Sequence, residues 1–320
     1  MSAVLDVEHL SVRFRRDGRE VRAVNDLSFS LARGEVLGII GESGSGKSVT
    51  LRALIGLLPP HARVEGAVRF RGGEVGKLAQ DELRKLRGMG IGMIFQEPAT
   101  ALDPVYTIGQ QIAETIVEHE GVDGASARGR ALELLERVSV PAAARRLDSY
   151  PHELSGGMRQ RAMIALALAC RPEVLLADEP TTALDATVQI QLLLLLRELQ
   201  RERNMAMIFV THDMAVAAEI SDRVAVMYAG RFVECGTVER VMLAPAHPYT
   251  RGLLASTVHA SRRGKLLEAI PGSPPDLSDL PQGCAFAPRC AFAAEECRRA
   301  MPPLEPHVNE RLLRCVRPPV

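Results

Sequence analysis

Hydrophobic and polar positions alternate from Val4 to Val12, and again from Asn25 to Leu31 after the turn-rich stretch RRDGRE, which predicts two short strands. The pattern then changes. Glu35 to Ile40 (EVLGII) is an apolar run ending before a glycine, as expected of a strand buried on both faces. It feeds GESGSGKS, and Val49 to Leu58 has helical spacing that stops before Pro59-Pro60. From about Asp81 to Leu168 the pattern is mostly helical, with loops at EPATALDP and around Pro141. Val174 to Ala177 predicts a second buried strand, ending in Asp178-Glu179, and Thr187 to Arg203 a long helix. Met205 to Val210 predicts a third buried strand, ending in Thr211-His212-Asp213. Val224 to Tyr228 and Arg231 to Glu234 read as a hairpin around Ala229-Gly230. Strands alternating with helices indicate an α/β class. Beyond about residue 240 prolines multiply and the periodicity fades, which marks a boundary. The chain contains no internal repeat and no low-complexity tract.

Composition narrows the classes. With 320 residues the expectation is two domains, or one large domain with an appendage. Lys+Arg and Asp+Glu are both 39, which argues against a chain built mainly to coat nucleic acid or an anionic membrane. The N-terminus, MSAVLDVEHL, lacks a basic-then-apolar leader pattern. No window reaches the roughly 18 uninterrupted apolar residues of a bilayer span; the longest greasy run, Leu192 to Leu196, is bracketed by Gln191 and Arg197. A soluble, cytosolic chain is the expectation. Its cysteines are then unlikely material for a disulfide framework.

Gly41 to Ser48 satisfies G-x4-G-K-S/T between a predicted strand and a predicted helix. The glycines, Gly41, Gly44 and Gly46, let the backbone wrap a phosphate, with Ser43 and Ser45 between them. The helix that begins around Ser48 and Val49 turns its positive end to the same anion. Lys47 reaches the β and γ phosphates, and the Ser48 hydroxyl is a ligand for Mg²⁺. Asp178 and Glu179 follow the strand VLLA, where one carboxylate can hold the Mg²⁺ shell and the other can orient or deprotonate a water. An acidic pair after an apolar run is weak evidence alone. With the phosphate loop it marks a P-loop NTPase.

Leu154 to Gln160 reads LSGGMRQ, about 20 residues before Asp178-Glu179, and resembles the signature of ABC-type ATPases. Gln96 in IFQEP resembles that family's Q-loop, Ala183-Leu184-Asp185 its D-loop, and His212 in VTHD its switch histidine. The resemblance implies an ABC-type P-loop NTPase fold, with a RecA-like core, a β-subdomain and a helical subdomain. It implies that Ser155, Gly156 and Gly157 meet the ATP held by a partner subunit's phosphate loop. Two subunits would close head-to-tail around two nucleotides, with Asp185 among the nucleotide-binding residues. It also implies Glu179 as general base, His212 at the γ-phosphate, and Gln96 sensing Mg²⁺ and the attacking water. The family usually stacks adenine on an aromatic upstream of the phosphate loop; Phe14 is the candidate, lying further upstream than is common.

His247-Pro248-Tyr249-Thr250-Arg251 and GCAFAPRC (Gly283 to Cys290) resemble the C-terminal extension of the oligopeptide and dipeptide importer branch. Cys284, Cys290, Cys297 and Cys315 run C-x5-C-x6-C-x17-C, without the close pairs of common zinc ribbons. Four thiolates suit a 4Fe-4S cluster or tetrahedral zinc, and unligated thiols are the third reading. The cysteine pattern resembles the subunit of this branch that carries a 4Fe-4S cluster, so the cluster is the expectation. Cys170 and Cys235 read as small hydrophobes of the core.

The expected organisation is an ATPase domain over residues 1–240, its helical subdomain at about 85–170, and a C-terminal extension over 241–320. The resemblance implies the ATPase subunit of a dipeptide or oligopeptide importer, peripheral on the cytoplasmic face of the cell membrane. Its partners would be a second, distinct ATPase, two transmembrane permease subunits and an extracytoplasmic solute-binding protein. An importer of nickel or of another small solute such as glutathione is the alternative. An exporter ATPase or a soluble ABC ATPase acting on DNA or ribosomes is disfavoured by the HPYT segment, the single cassette and the lack of a basic tract.

Overall fold

A computed structural model of the chain describes residues 3–16, 18–182, 184–256, 269–308 and 311–318. The strands are β1 (Ala3–Arg16), β2 (Arg19–Ala32), β3 (Val36–Ile40), β4 (Arg63–Phe70), β5 (Gly73–Glu74), β6 (Ile91–Ile94), β7 (Val174–Asp178), β8 (Ala206–Thr211), β9 (Arg223–Tyr228), β10 (Arg231–Thr237), β11 (Glu305–His307) and β12 (Arg311–Leu313). The helices are α1 (Lys47–Leu54), α2 (Gln80–Lys85), α3 (Pro98–Ala101), α4 (Ile108–Glu120), α5 (Gly124–Arg137), α6 (Ala143–Arg146), α7 (Gly156–Ala167), α8 (Ala186–Glu202), α9 (Met214–Ile220), α10 (Val238–Leu243), α11 (Pro248–Ala255) and α12 (Glu295–Arg299). They fall into two compact units, the first comprising Met1–Val4, Ala32–Gly34 and Lys77–Ile208, the second comprising Leu5–Leu31, Glu35–Gly76 and Phe209–Val320.

In the first unit β6 and β7 pair in parallel, with Ile91 opposite Val174 and Ile94 opposite Ala177, and β8 enters beside β7. Both β6 and β7 are buried along their whole length, as parallel strands covered on both faces must be. Helices α4, α5 and α7 bury Ile108, Ile112 and Ile116, Ala127, Ala131 and Leu135, and Ala162 to Ala165. A capping box starts α4: Thr107 Oγ1 accepts from Gln110 N, and Gln110 Oε1 accepts from Thr107 N. The greasy run in α8 is a helix face rather than a span: Leu192, Leu193, Leu195 and Leu196 are buried, while Leu194 points to solvent.

In the second unit β2, β1, β4 and β5 form a four-stranded sheet in that order, and β1 pairs antiparallel to β4 with a bulge between Glu8 and Ser11. A second sheet runs β8, β3, β9, β10, β12, β11. There β3 lies parallel to β9, β9 and β10 form the expected hairpin, and β12 adds antiparallel to β10. Ile40, Val226, Tyr228, Val233, Tyr249, Leu253 and Phe286 share one core on this sheet.

The structure departs from the sequence reading in particular places. The two N-terminal strands reach 14 residues each, because Arg15-Arg16 and Arg19-Glu20 of RRDGRE belong to the strands themselves. Helix α1 ends at Leu54 rather than Leu58. Strand β6 falls inside the stretch read as mostly helical, since four consecutive buried apolar residues carry no period. Strand β4, RVEGAVRF, is an addition to the sequence reading, although Val64, Gly66, Val68 and Phe70 alternate with Arg63, Glu65, Ala67 and Arg69.

Candidate nucleotide site and cysteine pocket

In the second unit the buried strand β3 delivers the chain into Gly41, and α1 starts at Lys47. Gly46 caps that helix at φ 105°, and a Cβ there would sit 2.2 Å from the carbonyl oxygen of Ala23. Only glycine fits this bend. Lys47 is 4% exposed, and its Nζ donates to the carbonyls of Gly41 at 2.7 Å and Glu42 at 2.9 Å. Ser43 and Gly44 lie at the exposed tip, while Ser48 and Val49 are half-buried in the first turn of α1. Ser45 Oγ is buried without a hydrogen-bond partner among the described residues, an orphaned hydroxyl inside an anion-binding loop. In the same unit His212 follows β8 and is exposed, and Asp213 caps α9. Phe14, on β1, is half-buried and meets the ring of His61 edge-on at 6.2 Å.

In the first unit Asp178 closes β7 at 1% exposure. Glu179 follows with φ 46°, a conformation that costs a non-glycine residue and is kept where the surroundings enforce it. Its Oε2 accepts from Gln96 Nε2 at 3.3 Å and from Thr182 Oγ1 at 3.1 Å. Gln96 comes from the end of β6, so two adjacent parallel strands end on one carboxylate–amide pair. The Ser-Gly-Gly segment opens a helix as expected: Ser155 caps α7 by accepting from Met158 N, and Gly156 and Gly157 form its first turn. Gln160, on the same helix, donates to the carbonyl of Pro180 at 2.6 Å and so ties the signature helix to the turn carrying Glu179. Asp185 caps α8 through Thr187 N and Val188 N. Ala183, part of the predicted D-loop, lies outside the described residues. Gln160 entered the sequence reading only as the last residue of the signature, and Thr182, three residues after Glu179, was not singled out; the fold gives both their contacts at the acidic turn.

The C-terminal cysteines converge in the second unit. Cys284, Cys290, Cys297 and Cys315 line one pocket with Phe286, Phe292 and Pro302, and none forms a disulfide. Burial pushes the Cys284 and Cys290 thiols up and the Cys315 thiol up to about 11. Among the described residues no three His, Cys, Asp or Glu side chains stand in ligand geometry for a metal ion. The four thiols nevertheless share the lining of this one pocket. Cys170 and Cys235 lie apart from this pocket, and burial raises their thiols to about 11 and about 12, as for inert core residues.

The HPYT segment is built into the same core. His247 caps α11, its Nδ1 accepting from Tyr249 N at 3.1 Å, and Pro248 takes the first helical position. Tyr249 packs against Tyr228 at 4.6 Å and Phe286 at 5.4 Å between ring centres. Its hydroxyl accepts from the backbone N–H of Glu42, inside the phosphate loop.

Comparison with known proteins agrees with this geometry. Residues 24–182 match the family model described as ABC transporter, and residues 233–297 match that of the oligopeptide/dipeptide transporter, C-terminal region. The chain is 50% identical over 316 residues to the oligopeptide transport ATP-binding protein OppD of Escherichia coli (strain K12), covering 99% of this chain and 94% of the relative. It is 51% identical over 300 residues to OppD of Haemophilus influenzae, covering 94% and 93%. Among solved structures, a dimeric post-hydrolysis state of the ATP-binding cassette MJ0796 bound to ADP and Pi superposes with a TM-score of 0.67 at 30% identity, covering 73% of this chain and 98% of that one. CbiO1 from Clostridium perfringens, part of the transporter complex cbiONQ, gives 0.65 at 29% identity, covering 76% and 92%. The chain belongs to the ABC transporter ATPases, in the branch that carries the oligopeptide/dipeptide transporter C-terminal region.

Proposed function

We propose that this protein is the ATP-hydrolysing subunit that powers an importer of dipeptides or oligopeptides. The observation that carries the reading is its identity, over nearly its whole length, to a relative named as an oligopeptide transport ATP-binding protein. The intact phosphate loop, acidic turn and signature helix support it.

The chain's residues take the following parts in that reading. The phosphate loop, Gly41 to Ser48, cradles the phosphates of ATP, with Val49 in the following helical turn and Phe14 against the adenine. Lys47 exchanges its carbonyl partners for phosphate oxygens. Ser48, Asp178 and Gln96 hold Mg²⁺, which neutralises charge on the β and γ phosphates when bound. Glu179 takes the proton of the attacking water, held in place by Gln96 and Thr182. His212 contacts the γ-phosphate. Ser155, Gly156 and Gly157 offer the N-terminal end of α7 to the ATP of a second subunit, and Asp185 lies beside that junction. The four C-terminal cysteines hold a 4Fe-4S cluster in a structural role, supported by their shared pocket, and transport driven by ATP requires no redox step. The ATPase domain spans residues 1–240 with a helical subdomain at about 85–170, and the extension spans 241–320.

The partners in this reading are a second ATPase, two permease subunits and an extracytoplasmic solute-binding protein, with the chain peripheral on the cytoplasmic face of the inner membrane. No helix among the described residues is long and apolar enough to cross a membrane. Val105 and Tyr106, beyond the EPATALDP loop, are exposed apolar side chains available to a permease subunit. The test is co-purification of the tagged chain from native membranes in mild detergent, then reconstitution of the recovered complex into liposomes. Two permeases, a second ATPase and peptide-stimulated ATP hydrolysis are expected. A wholly soluble set of partners, or hydrolysis indifferent to peptide-loaded binding protein, refutes the importer.

A further inference from the structure

Glu42 lies inside the phosphate loop and is gripped at each of its polar groups. Its carbonyl accepts from Lys47 Nζ, its N–H donates to the Tyr249 hydroxyl at 2.9 Å, and its carboxylate takes both arms of Arg289 at 2.7 and 3.0 Å. Two of these three partners come from the C-terminal part of the chain, 207 and 247 residues downstream. Arg289 has no freedom to leave. It is 6% exposed at the side chain, its Nε donates to the Pro271 carbonyl at 2.8 Å, and one arm also reaches the Tyr228 hydroxyl at 3.3 Å. Its guanidinium lies 5.9 Å from the ring centres of both Tyr228 and Phe286.

The grip matters because of what the loop must bind. An unpaired carboxylate beside a triphosphate is a like charge, and such juxtaposition is costly in a partly buried site. A two-armed guanidinium neutralises that carboxylate and fixes its direction. When Lys47 turns to the phosphates, the carbonyl of Glu42 keeps only the Ser45 N–H at 3.2 Å, and Tyr249 and Arg289 hold the rest of the residue in place.

We infer that Arg289 and Tyr249 are positioning residues of the phosphate loop, so that affinity for the phosphates of ATP is set in part by the segment that carries the cysteines. The inference rests on the reading of Gly41 to Ser48 as an ATP site. Arg289 immediately precedes Cys290, and Phe286 lies in the wall of the cysteine pocket, so the pocket and the loop share one support.

The test is titration of the full chain with a fluorescent ATP analogue and Mg²⁺, with adenosine as a ligand lacking phosphates and nucleotide-free thermal unfolding as the fold control. Arg289→Gln is expected to weaken ATP about tenfold and leave adenosine unchanged. Adding Glu42→Gln to Arg289→Gln is expected to restore most of the loss, because it removes the exposed charge. Tyr249→Phe, which deletes only a hydroxyl, is expected to weaken ATP about threefold. A double variant no tighter than Arg289→Gln alone overturns the electrostatic role, since the Glu42 charge left behind is then not what weakens ATP. Wild-type affinity in Tyr249→Phe overturns the backbone role even if Arg289→Gln fails to fold. Absence of ATP binding by the unsubstituted chain refutes the underlying ATP-site reading instead.

Discussion

The amide of Gln96 donates to the carboxylate of Glu179 across 3.3 Å, joining the ends of two adjacent parallel strands. Glu179 is also held at φ 46° and bonded by Thr182, so its carboxylate is aimed before any ligand arrives. Replacing it with Gln keeps shape and hydrogen-bonding capacity but removes the base. Glu179→Gln is expected to lower ATP turnover by about 100-fold or more while ATP stays bound. Phosphate release and retained radiolabelled ATP measure the two effects. Normal turnover in this variant would falsify the assignment of the base.

Lys47 has two tasks, and its removal separates them. In the structure its ammonium bonds the carbonyls of Gly41 and Glu42, so it holds the loop shut on itself. In the ATP reading the same charge moves to the phosphates. Lys47→Ala is therefore expected to weaken ATP by about tenfold to 100-fold, the worth of a charged hydrogen bond, and to lower nucleotide-free thermal stability as well. Unchanged ATP affinity in an equilibrium titration refutes the phosphate contact.

Acid should loosen the HPYT region before it touches the rest of the core. Burial holds His247 neutral, pushing its pKa down to about 3, while its Nδ1 accepts from Tyr249 N. The neighbouring charges are Glu234, bonded to the His247 N–H, and Arg311, bonded to Glu234. The unfolded chain protonates this histidine below its ordinary value of about 6.5 and the folded chain does not, so stability falls as pH drops. From pH 6.5 to pH 5 this one residue contributes a loss of about 2 kcal/mol. His247→Asn keeps a capping oxygen without the titration. Urea unfolding at the two pH values should show a flatter dependence in the variant, and equal slopes would remove His247 from the account.

The cysteine pocket makes a separate chemical prediction. Anaerobic purification is expected to yield iron and acid-labile sulfide with the chain, and Cys290→Ser is expected to lose both. Since burial raises the free Cys284, Cys290 and Cys315 thiols, loading the pocket must expel protons, and a weakly buffered reconstitution should acidify. Stoichiometric zinc without iron refutes the cluster.

The local geometry of the glycine-rich loop, the signature segment and the D-loop segment was legible because each motif states its own backbone requirement. Glycine at Gly46 is forced by a left-handed bend, and Ser155 and Asp185 announce helix starts by capping them. Strand β6 carries no period because it is a short run of buried residues, whereas β4 does alternate, Val64, Gly66, Val68 and Phe70 on one face, and lay outside the sequence reading all the same. The support of Glu42 by Tyr249 and Arg289 had no signal in the sequence. Its partners are set by three-dimensional packing, and neither HPYT nor APRC names an acidic residue near the other end of the chain. The contact of Gln160, read only as the end of the signature, with the Pro180 carbonyl is likewise set by packing. The cysteines were an intermediate case: their spacing raised the question of a shared site, and only the fold brought all four to one pocket.

Strand β12 gives the order of synthesis a consequence. It pairs with β10, placing Leu313 opposite Glu234, and Arg311 lies 3.1 Å from the fully buried carboxylate of Glu234. Arg311 is translated 77 residues after Glu234, an interval of about 4–15 s at about 5–20 residues per second. For that interval a nascent chain presents β10 as an open edge and carries an acid whose cation has not yet been made. A chain truncated in this window is expected to leave β10 as an open edge and to self-associate more than the full chain. Strand β12 thus covers the edge of β10 only in chains that have been translated through Leu313.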